Sequence, residues 1–443
     1  MPRRLPGDTA MKTMRVALCL VLAATTVRAE SVGQMPARTG RVRVVDHSLA
    51  DDNGPFLGLG VSYFTALWRY QNDRTRLESD LAFLSQQGFN YTRVLSMVGW
   101  NRAWDGLEIA PVAFTSREGK EVKAWPSYWQ SLAGLVDLTY DRFGMRTQIT
   151  IFADAQLMPH KPDRVEHMRR MLADVVTGRE HKLILLEVAN EAWQNGFPGD
   201  DGTADLREFT RYLAERTDVA VATTSNHEGA FEVLYRDSAA DIATWHFSRD
   251  RSADDGWRPV IDCRRLAQVP GCPPVSSNEP IGPGSSVASE SDPVKLVLAA
   301  AYAYASRLPM YVFHSEAGVF GKARFEDTAA VRDLRHIGRC LPGDLANWRS
   351  YEGGDRDSPV QAAGCVSIIC NVSGDMIVCV PVGVRPAEFE IAARARVRLR
   401  VVDLLTGRDV RTIETSAGER VAPFRESGAL VIVGSFAQPT AGP

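Results

Sequence analysis

From residue 54 to residue 340, short apolar stretches alternate with segments of helical spacing, and this alternation constrains the fold more than any other feature of the chain. The stretches have the composition of strands, whereas the segments between them repeat apolar residues every three or four positions, as helices do. The strand-like stretches lie at 56–63, 91–98, 148–154, 185–193, 219–224, 242–247, 274–280 and 310–316. The helical segments lie at 73–87, 128–143, 163–176, 205–215, 230–235, from 293 onward and at 325–337.

Strand–helix units in succession require parallel strands joined by right-handed crossovers. Eight strands in this alternation over roughly 280 residues predict an α/β fold, a (β/α)8 TIM barrel. A doubly wound open sheet is the alternative. It is disfavoured because Gly58-Leu59-Gly60 is not followed by the further glycine of a phosphate-binding loop.

The pattern changes near residue 341, where helical spacing disappears. Short apolar stretches follow at 366–369, 376–380, 389–392, 397–402 and 430–434. Strands of this length separated by turn residues predict a small antiparallel β domain. We therefore expect a (β/α)8 barrel at 54–340, a junction at 341–364, and a C-terminal β-sandwich-like domain at 365–443.

The N-terminus has the pattern of an export signal. Arg3, Arg4, Lys12 and Arg15 precede an apolar run at 16–27, which is too short to span a bilayer comfortably. Val27-Arg28-Ala29 then offers a cleavage site, so residues 1–29 are predicted to be a signal peptide, and 30–53 a lead-in segment. An uncleaved anchor is the alternative. The predicted location is secreted or periplasmic, and no later segment is predicted to cross a membrane.

Cysteine usage agrees with export. Removing Cys19 with the signal peptide leaves an even number of cysteines, which favours disulfides in an exported chain. They are Cys263, Cys272, Cys340, Cys365, Cys370 and Cys379. Cys263 and Cys272 are the predicted pair, and the connectivity of the other four stays open. No Cys/His spacing or paired histidines indicate a metal site, so no cofactor is predicted.

Polar side chains concentrate at the carboxyl ends of the predicted strands, where a barrel of this kind builds its active site. They are Tyr63, Arg93, Asp154, Asn190, Glu191, His246, Glu279 and Glu316. Glu191 and Glu279 end the fourth and seventh strands, so their carboxylates can face each other across the barrel mouth. As an alternative, Glu191 could cap the next helix.

Two carboxylates across a pocket suit glycoside hydrolysis. At about 5 Å one carboxylate attacks the anomeric carbon while the other donates a proton, whereas roughly 6.5–9.5 Å leaves room for water and gives inversion. A nearby arginine such as Arg93 favours the ionised nucleophile. Desolvation against Trp193 could raise the pKa of the acid.

The ordered set Arg93, Asn190-Glu191 and Glu279, on strands two, four and seven, resembles the clan of retaining (β/α)8 glycoside hydrolases that contains cellulases and β-mannanases. The resemblance covers about residues 50–340. It implies that Glu191 is the acid/base and Glu279 the nucleophile. It further implies that Asn190 contacts the sugar 2-hydroxyl, that Arg93 orients the nucleophile, and that His246 fills the position after strand six.

Two positions depart from that pattern. Asp154 stands where many members carry a histidine, and Phe313-His314-Ser315-Glu316 stands where many carry a tryptophan. These departures leave the sugar and the linkage undetermined.

The sequence therefore predicts a secreted retaining glycoside hydrolase that cleaves a poly- or oligosaccharide through Glu191 and Glu279. The predicted substrate-binding residues are Asn190, Arg93, His246, Trp193, Tyr63 and Glu316. A near-neutral net charge of −3 gives no basic patch for nucleic acid, and a monomer is expected by default. The alternatives are Glu316 as nucleophile, a non-catalytic carbohydrate-binding barrel, and a metal-assisted hydrolase that uses Asp154, His246 and Glu316.

Overall fold

The computed structural model describes residues 38–225, 231–247, 253–267, 269–284, 289–421, 426 and 428–437. The predicted signal peptide at 1–29 and the first residues of the lead-in segment lie outside the described residues.

Eight parallel strands form one sheet, as the alternation predicts. The strands are β1 (Gly58–Ser62), β2 (Tyr91–Leu95), β3 (Arg146–Phe152), β4 (Leu183–Asn190), β5 (Val221–Ser225), β6 (Ala243–Trp245), β7 (Val275–Ser277) and β8 (Met310–Phe313). Their order in the sheet is β5-β4-β3-β2-β1-β8-β7-β6. This order confirms the (β/α)8 barrel, with β5 and β6 as the two strands that meet at closure.

A tyrosine hydroxyl joins β5 to β6. Tyr235 donates to the Thr224 carbonyl at 2.6 Å and accepts the backbone N–H groups of Thr224 and Thr244 at 3.0 and 3.1 Å. Burial raises the pKa of Tyr235 to about 12, so the hydroxyl stays protonated. The ring thus satisfies buried backbone groups at the seam, which would otherwise cost free energy.

The helices pack around the sheet. They are Ala66–Asn72 and Arg74–Gln86 after β1, Tyr128–Phe143 after β2, Lys161–Arg170 after β3, Gly199–Ala214 after β4, Phe231–Tyr235 after β5, Arg258–Ile261 after β6, Pro293–Ala305 after β7, and Glu316–Val319 and Ile337–Cys340 after β8. A π-helical turn, Met171–Val176, extends the helix after β3.

The helix predicted at 325–337 does not form. Two short 3₁₀ turns, Phe325–Asp327 and Leu334–His336, occupy the segment, and Ala330 between them has a φ of 66°. A left-handed residue breaks the helical hydrogen-bond ladder. The helix-like spacing came from Phe325, Val331 and Leu334. These side chains are buried, although the backbone that carries them is not a continuous helix.

Helix Pro293–Ala305 is buried along most of its length, between the barrel and the C-terminal sheet. Asp292 caps it by accepting the Val294 N–H at 2.9 Å. At its other end the Ala305 carbonyl accepts from Ser350 Oγ at 3.3 Å and from Asn371 Nδ2 at 3.0 Å. Helix-terminal carbonyls have no partner within the helix, so these bonds fix its end onto the sheet.

The C-terminal region is antiparallel, as predicted. One sheet contains, in spatial order, Arg349–Glu352, Ser367–Ser373, Met376–Val382, Leu430–Phe436, Val397–Asp403 and Arg408–Thr415. A second contains Val360–Ala363, Glu390–Ala393 and Arg420–Val421. The first strand of each sheet lies in the 341–364 segment that was predicted as a junction, and apolar side chains from both sheets share one core.

The lead-in segment forms a small sheet that covers the floor of the barrel. Its strands are Arg43–Val45, Ser48–Asp51 and Gly54–Phe56. Leu49 and Phe56 pack there against buried residues at the amino ends of the barrel strands, including Ile184 and Met310. The floor is therefore closed, and an opening is left at the opposite end.

All six described cysteines are free thiols, so the predicted Cys263–Cys272 disulfide is not present. Cys263 is buried and donates instead to the Val260 carbonyl at 3.3 Å. Cys370 and Cys379 lie directly opposite each other on paired strands, with their sulfur atoms 3.2 Å apart. Among the described helices, none combines the length and apolar character needed to cross a membrane.

Candidate active site

A cavity of about 320 Å³ opens at the carboxyl ends of the barrel strands. Its walls include Asn190, Glu191 and Glu279 from strand ends and Trp100 and Trp104 from the loop after β2. Another cavity, of about 250 Å³, lies at the floor. The floor cavity has no acidic side chain among its described lining residues, so the chemistry-bearing groups are at the mouth.

Glu279 is buried two residues beyond β7 and contacts three basic side chains, those of Arg93, His314 and His246. Arg93 Nη1 donates to its Oε1 at 2.8 Å, and His314 Nε2 lies 3.7 Å from its Oε2. His314 is oriented by Ser62, whose Oγ lies 2.9 Å from Nδ1. The Arg93 guanidinium favours the ionised form of Glu279 by direct Coulomb attraction.

Glu191 is held by an unusual backbone conformation directly after β4. Its φ is 43°, in the left-handed region, and its N–H donates to the Ser225 carbonyl at 3.0 Å. The Gln194 side-chain amide donates to its carboxylate. Non-glycine residues in this region cost energy and cluster at functional sites. The conformation turns the side chain, 21% exposed, toward the cavity.

His246 lies between the two glutamates. Its Nδ1 is 3.1 Å from Glu191 Oε1, and its Nε2 is 3.3 Å from Glu279 Oε1. One ligand-type atom from each of the three residues lies within 4.8 Å of the others. That spacing is in the short range of about 5 Å, in which one carboxylate can attack while the other transfers a proton. The same three groups could hold a divalent metal ion, since imidazole and carboxylate are zinc ligands.

Arg93 connects the glutamates to the interior of the barrel. It is fully buried, and its Nη2 donates to Asn190 Oδ1 at 2.6 Å and to Glu187 Oε2 at 3.1 Å. Burial alone would lower the pKa of Arg93, but Glu187 and Glu279 together raise it above its ordinary value. The guanidinium therefore stays charged and fixes both Asn190 and Glu279.

Glu187 is the main residue that sequence reasoning missed. It is fully buried within β4, and Thr150 Oγ1 and Asn278 Nδ2 donate to it at 2.6 and 2.9 Å. Ser225 Oγ also donates to its carboxylate. The available signal was a glutamate interrupting an apolar strand, because a buried carboxylate requires a charged or hydrogen-bonding partner. His314 was likewise missed as a site residue, although it was noted as a departure from the resemblance.

Asp154 lines the cavity and shapes its wall. It accepts the backbone N–H groups of Gly99 at 2.8 Å and Trp100 at 3.1 Å. Burial raises the pKa of Asp154, although these two bonds oppose the shift. The carboxylate thereby sets the path of the loop that carries Trp100 and Trp104.

Five predicted site residues are not among the described lining residues of this cavity: Arg93 and His246, which contact the glutamates that line it, and three others. Tyr63 is buried, and its hydroxyl donates to Asp80 at 2.7 Å. Trp193 is 39% exposed on the turn after Glu191. Glu316 begins the helix after β8 and packs on Gly284, where an added Cβ would lie 2.7 Å from its Oε2. The structure brings together Arg93, Asn190, Glu191, His246 and Glu279.

No protein-family model and no curated protein matches the sequence. Solved structures do match. A glycoside hydrolase family 5 protein from Bacteroides vulgatus has a TM-score of 0.67 and 12% identity, covering 90% of this chain and 93% of that chain. A putative glycoside hydrolase, also from Bacteroides vulgatus, has a TM-score of 0.60 and 13% identity, covering 92% of this chain and 84% of that chain.

A maltogenic α-amylase from Thermotoga neapolitana is also similar, with a TM-score of 0.55 and 11% identity, covering 86% of this chain and 99% of that chain. One fold can host many different functions. Structural similarity at 11–13% sequence identity therefore shows a shared fold. The chain shares, over most of its length, the fold of these glycoside hydrolases.

Proposed function

We propose that the protein is a retaining glycoside hydrolase acting on an oligo- or polysaccharide, with Glu279 as nucleophile and Glu191 as acid/base. The observation that carries the proposal is the close approach of these two carboxylates, within 4.8 Å, beside one cavity. This separation matches the spacing of about 5 Å at which double displacement operates.

The surroundings of the two glutamates support this assignment of roles. Glu279 has a guanidinium at 2.8 Å and a side-chain exposure of 8%, which suits a group that must stay ionised and attack. Glu191 contacts a histidine and an amide and is more exposed, which suits a group that exchanges protons with a leaving group and with water.

In the first step Glu279 attacks the anomeric carbon, the glycosidic C–O bond breaks, and the leaving oxygen takes the proton of Glu191. In the second step Glu191 removes a proton from water, the water oxygen bonds to the anomeric carbon, and Glu279 leaves as a carboxylate. Asn190, held by Arg93, would contact the sugar beside the reacting carbon. His246 would position both carboxylates through its two ring nitrogens.

Substitution of each glutamate tests the roles. We expect Glu279→Gln to reduce hydrolysis of aryl glycosides and oligosaccharides alike by more than about 10³-fold. Glu191→Ala should impair poor leaving groups far more than activated aryl ones, and azide should restore its turnover. NMR of the first-formed sugar should show retention of the anomeric configuration, whereas inversion would contradict the proposal.

Glu316 provides the matched control, because it is a glutamate at another strand end. Glu316→Gln should reduce activity far less than Glu279→Gln. The reverse order would transfer the nucleophile role to Glu316. A non-catalytic barrel would bind oligosaccharides with no turnover that depends on Glu279.

The approach of Glu191, His246 and Glu279 also supports a second candidate, a metal-assisted hydrolase. Under our proposal, dialysis against a chelator leaves kcat/KM unchanged. Loss of activity that zinc or manganese restores would favour the metal-assisted reaction, with the triad as its ligands.

We further propose that the protein is exported and that Cys370 and Cys379 form a disulfide when a thiol–disulfide oxidase or oxygen accepts their electrons. Cross-strand sulfur atoms 3.2 Å apart need little movement to bond. Mass spectrometry of unreduced peptides from the exported protein should find this pair. Two free thiols there would contradict it.

We also propose that the C-terminal domain, 365–443, supports the barrel by covering helix Pro293–Ala305. The helix end is contacted by Asn371 of this domain and by Ser350, on the strand Arg349–Glu352 that joins the larger sheet of the domain. A chain ending at residue 340 should therefore be insoluble or lose cooperative unfolding. A stable and active truncated barrel would contradict it.

A further inference from the structure

A short β-hairpin in the loop after β2 forms part of the cavity wall. Its strands are Phe114–Thr115 and Glu121–Val122, which pair antiparallel. The turn between them is closed by the Ser116 N–H to the Lys120 carbonyl at 2.8 Å, and Gly119 supplies the left-handed residue, with a φ of 82°. Arg117 is at the tip of this hairpin and lines the cavity that contains Glu191 and Glu279.

The hairpin is fixed to the barrel at several points. The Arg117 N–H donates to the Trp100 carbonyl at 2.9 Å, next to the backbone that Asp154 holds. Phe114 packs on Gly99, where an added Cβ would lie 2.6 Å from the ring. The Arg117 backbone is therefore placed by the same contacts that place Trp100.

The charge of Arg117 has no carboxylate partner within the part of the chain that the structure describes. Lys120, three residues further on, bonds to both Asp105 and Glu108. Arg93, the other arginine near the cavity, is shared by two glutamates. Among the described residues, by contrast, no acidic side chain forms an ion pair with Arg117.

The acidic residues of the same loop face elsewhere. Glu118 lines an adjoining depression of about 310 Å³, together with Asp105 and Glu108. Glu121 accepts from Thr115 Oγ1 at 2.5 Å. Because no described acidic side chain pairs with the Arg117 guanidinium, its donors are available to a substrate in the cavity.

We propose that Arg117 binds an anionic group of the substrate, the carboxylate of a hexuronic acid unit. This inference rests on the proposed function and names the substrate class of the same site. A guanidinium presents paired N–H donors that match a planar carboxylate. The adjacent Trp100 offers an apolar face for the ring of the same sugar unit. Because Arg117 is exposed, water competes for it, so selectivity of about 5- to 50-fold is expected.

The test compares paired substrates. Alginate, polygalacturonate, hyaluronan and glucuronoxylan oligosaccharides are each assayed beside their carboxyl-reduced, neutral derivatives, and sulfated oligosaccharides beside desulfated ones. We expect wild type to prefer at least one uronate over its neutral derivative by about 5- to 50-fold in kcat/KM. Arg117→Ala should bring this ratio close to one, and Arg117→Lys should keep part of it.

Arg102→Ala is the matched control, because Arg102 is exposed on the same loop, lines the adjoining depression, and is not among the described residues that line the cavity of Glu191 and Glu279. Its ratio should equal that of wild type. The inference is overturned if wild type has no preference for any uronate, if Arg117→Ala keeps the preference, or if Arg117→Ala slows both members of a pair equally. A preference confined to the sulfated pairs would overturn the carboxylate assignment.

Calorimetric titration of the same pairs separates this inference from the catalytic proposal. If no glycoside is hydrolysed, the proposed function fails. Uronate binding that Arg117→Ala weakens relative to the neutral derivative would still support the inference. Equal binding of acidic and neutral oligosaccharides would remove it whatever the activity.

Discussion

Arg93 and Arg146 lie on neighbouring barrel strands, and both are almost fully buried, at 0% and 2% exposure. Arg93, on β2, points to the mouth, where it is shared by Glu187 and Glu279. Arg146, at the start of β3, contacts the floor sheet, where Asp51 pairs with it at 3.0 Å and with Arg38 at 2.7 Å. The mouth thus has one arginine for two carboxylates, and the floor has one carboxylate for two arginines.

The remaining partners show what this difference means. At the floor, the remaining donors of Arg146 reach two backbone carbonyls, that of His181 at 3.1 Å and that of Gly40 at 2.9 Å. These donors are therefore satisfied by protein atoms. At the mouth, the surplus is a carboxylate that borders a cavity. Burial lowers the pKa of Arg146 despite Asp51, whereas the two glutamates raise that of Arg93. We infer that the Arg146–Asp51 network stabilises the fold, whereas the Arg93 network leaves a carboxylate, Glu279, available for chemistry at the cavity.

Removing each arginine should separate these two roles, with the largest effect at the mouth. Arg93→Met leaves two buried carboxylates without their cation, so we expect a loss of about 3–5 kcal/mol in unfolding free energy. The kcat/KM should fall by more than about 10²-fold. Arg146→Met leaves Asp51 paired with Arg38, so a smaller loss of about 1–3 kcal/mol is expected, with kcat/KM per folded molecule unchanged.

Urea unfolding and steady-state kinetics measure both effects. If Arg93→Met does not fold, Arg93→Lys is the alternative variant. Lysine keeps the positive charge but lacks the paired N–H donors of the guanidinium. We expect a folded protein with kcat/KM at least about 10-fold lower. Equal stability and activity profiles for the Arg93 and Arg146 variants would break the distinction between mouth and floor.

The sequence predicted the parts of this comparison that depend on local pattern. Strand–helix alternation placed Arg93, Glu191 and Glu279 at the correct end of the barrel, and helical spacing placed the start of a helix at 293. The pairing of Arg93 with Glu187 could not be predicted, because it joins residues 94 positions apart across the barrel interior. Tyr63 ends a strand as well, but its ring turns inward to Asp80, and strand position alone does not give that direction.

The floor network should also control acid stability. Burial alone would raise the pKa of Asp51, but hydrogen bonds from Arg38 and the Asn53 N–H, with the charge of Arg146, hold it below its ordinary value. A carboxyl with a depressed folded pKa stabilises the protein above its unfolded pKa of about 4, and that contribution is lost as pH falls through the lower, folded pKa. Asp51→Asn should therefore reduce stability at pH 7 and flatten its decline below about pH 4.

Urea midpoints between pH 7 and pH 2.5 measure this effect, and kcat/KM at pH 7 is the companion measurement. An Asp51→Asn protein that unfolds with the same acid dependence as wild type would show that the floor pair is not the acid-sensitive contact. A fall in kcat/KM would show that the floor communicates with the mouth, which the Arg146–Asp51 network, satisfied by protein atoms, argues against.

The smallest expected effect concerns Asp154, which can be compared with Glu279. Both are buried carboxylates at the mouth, but Asp154 is held by two backbone N–H groups, whereas Glu279 is held by an arginine. Burial raises the pKa of Asp154, so it takes up a proton at a higher pH than an ordinary aspartate and then accepts those N–H groups less well. The loop with Trp100 should loosen as pH falls, and KM should rise about 2- to 5-fold while kcat changes little. In Asp154→Asn the KM should be raised at neutral pH and lack this acid-dependent increase. If the KM of the wild type is unchanged from pH 7 to pH 4, the two backbone N–H groups alone keep Asp154 ionised. A buried carboxylate at the mouth would then be stabilised without a cation.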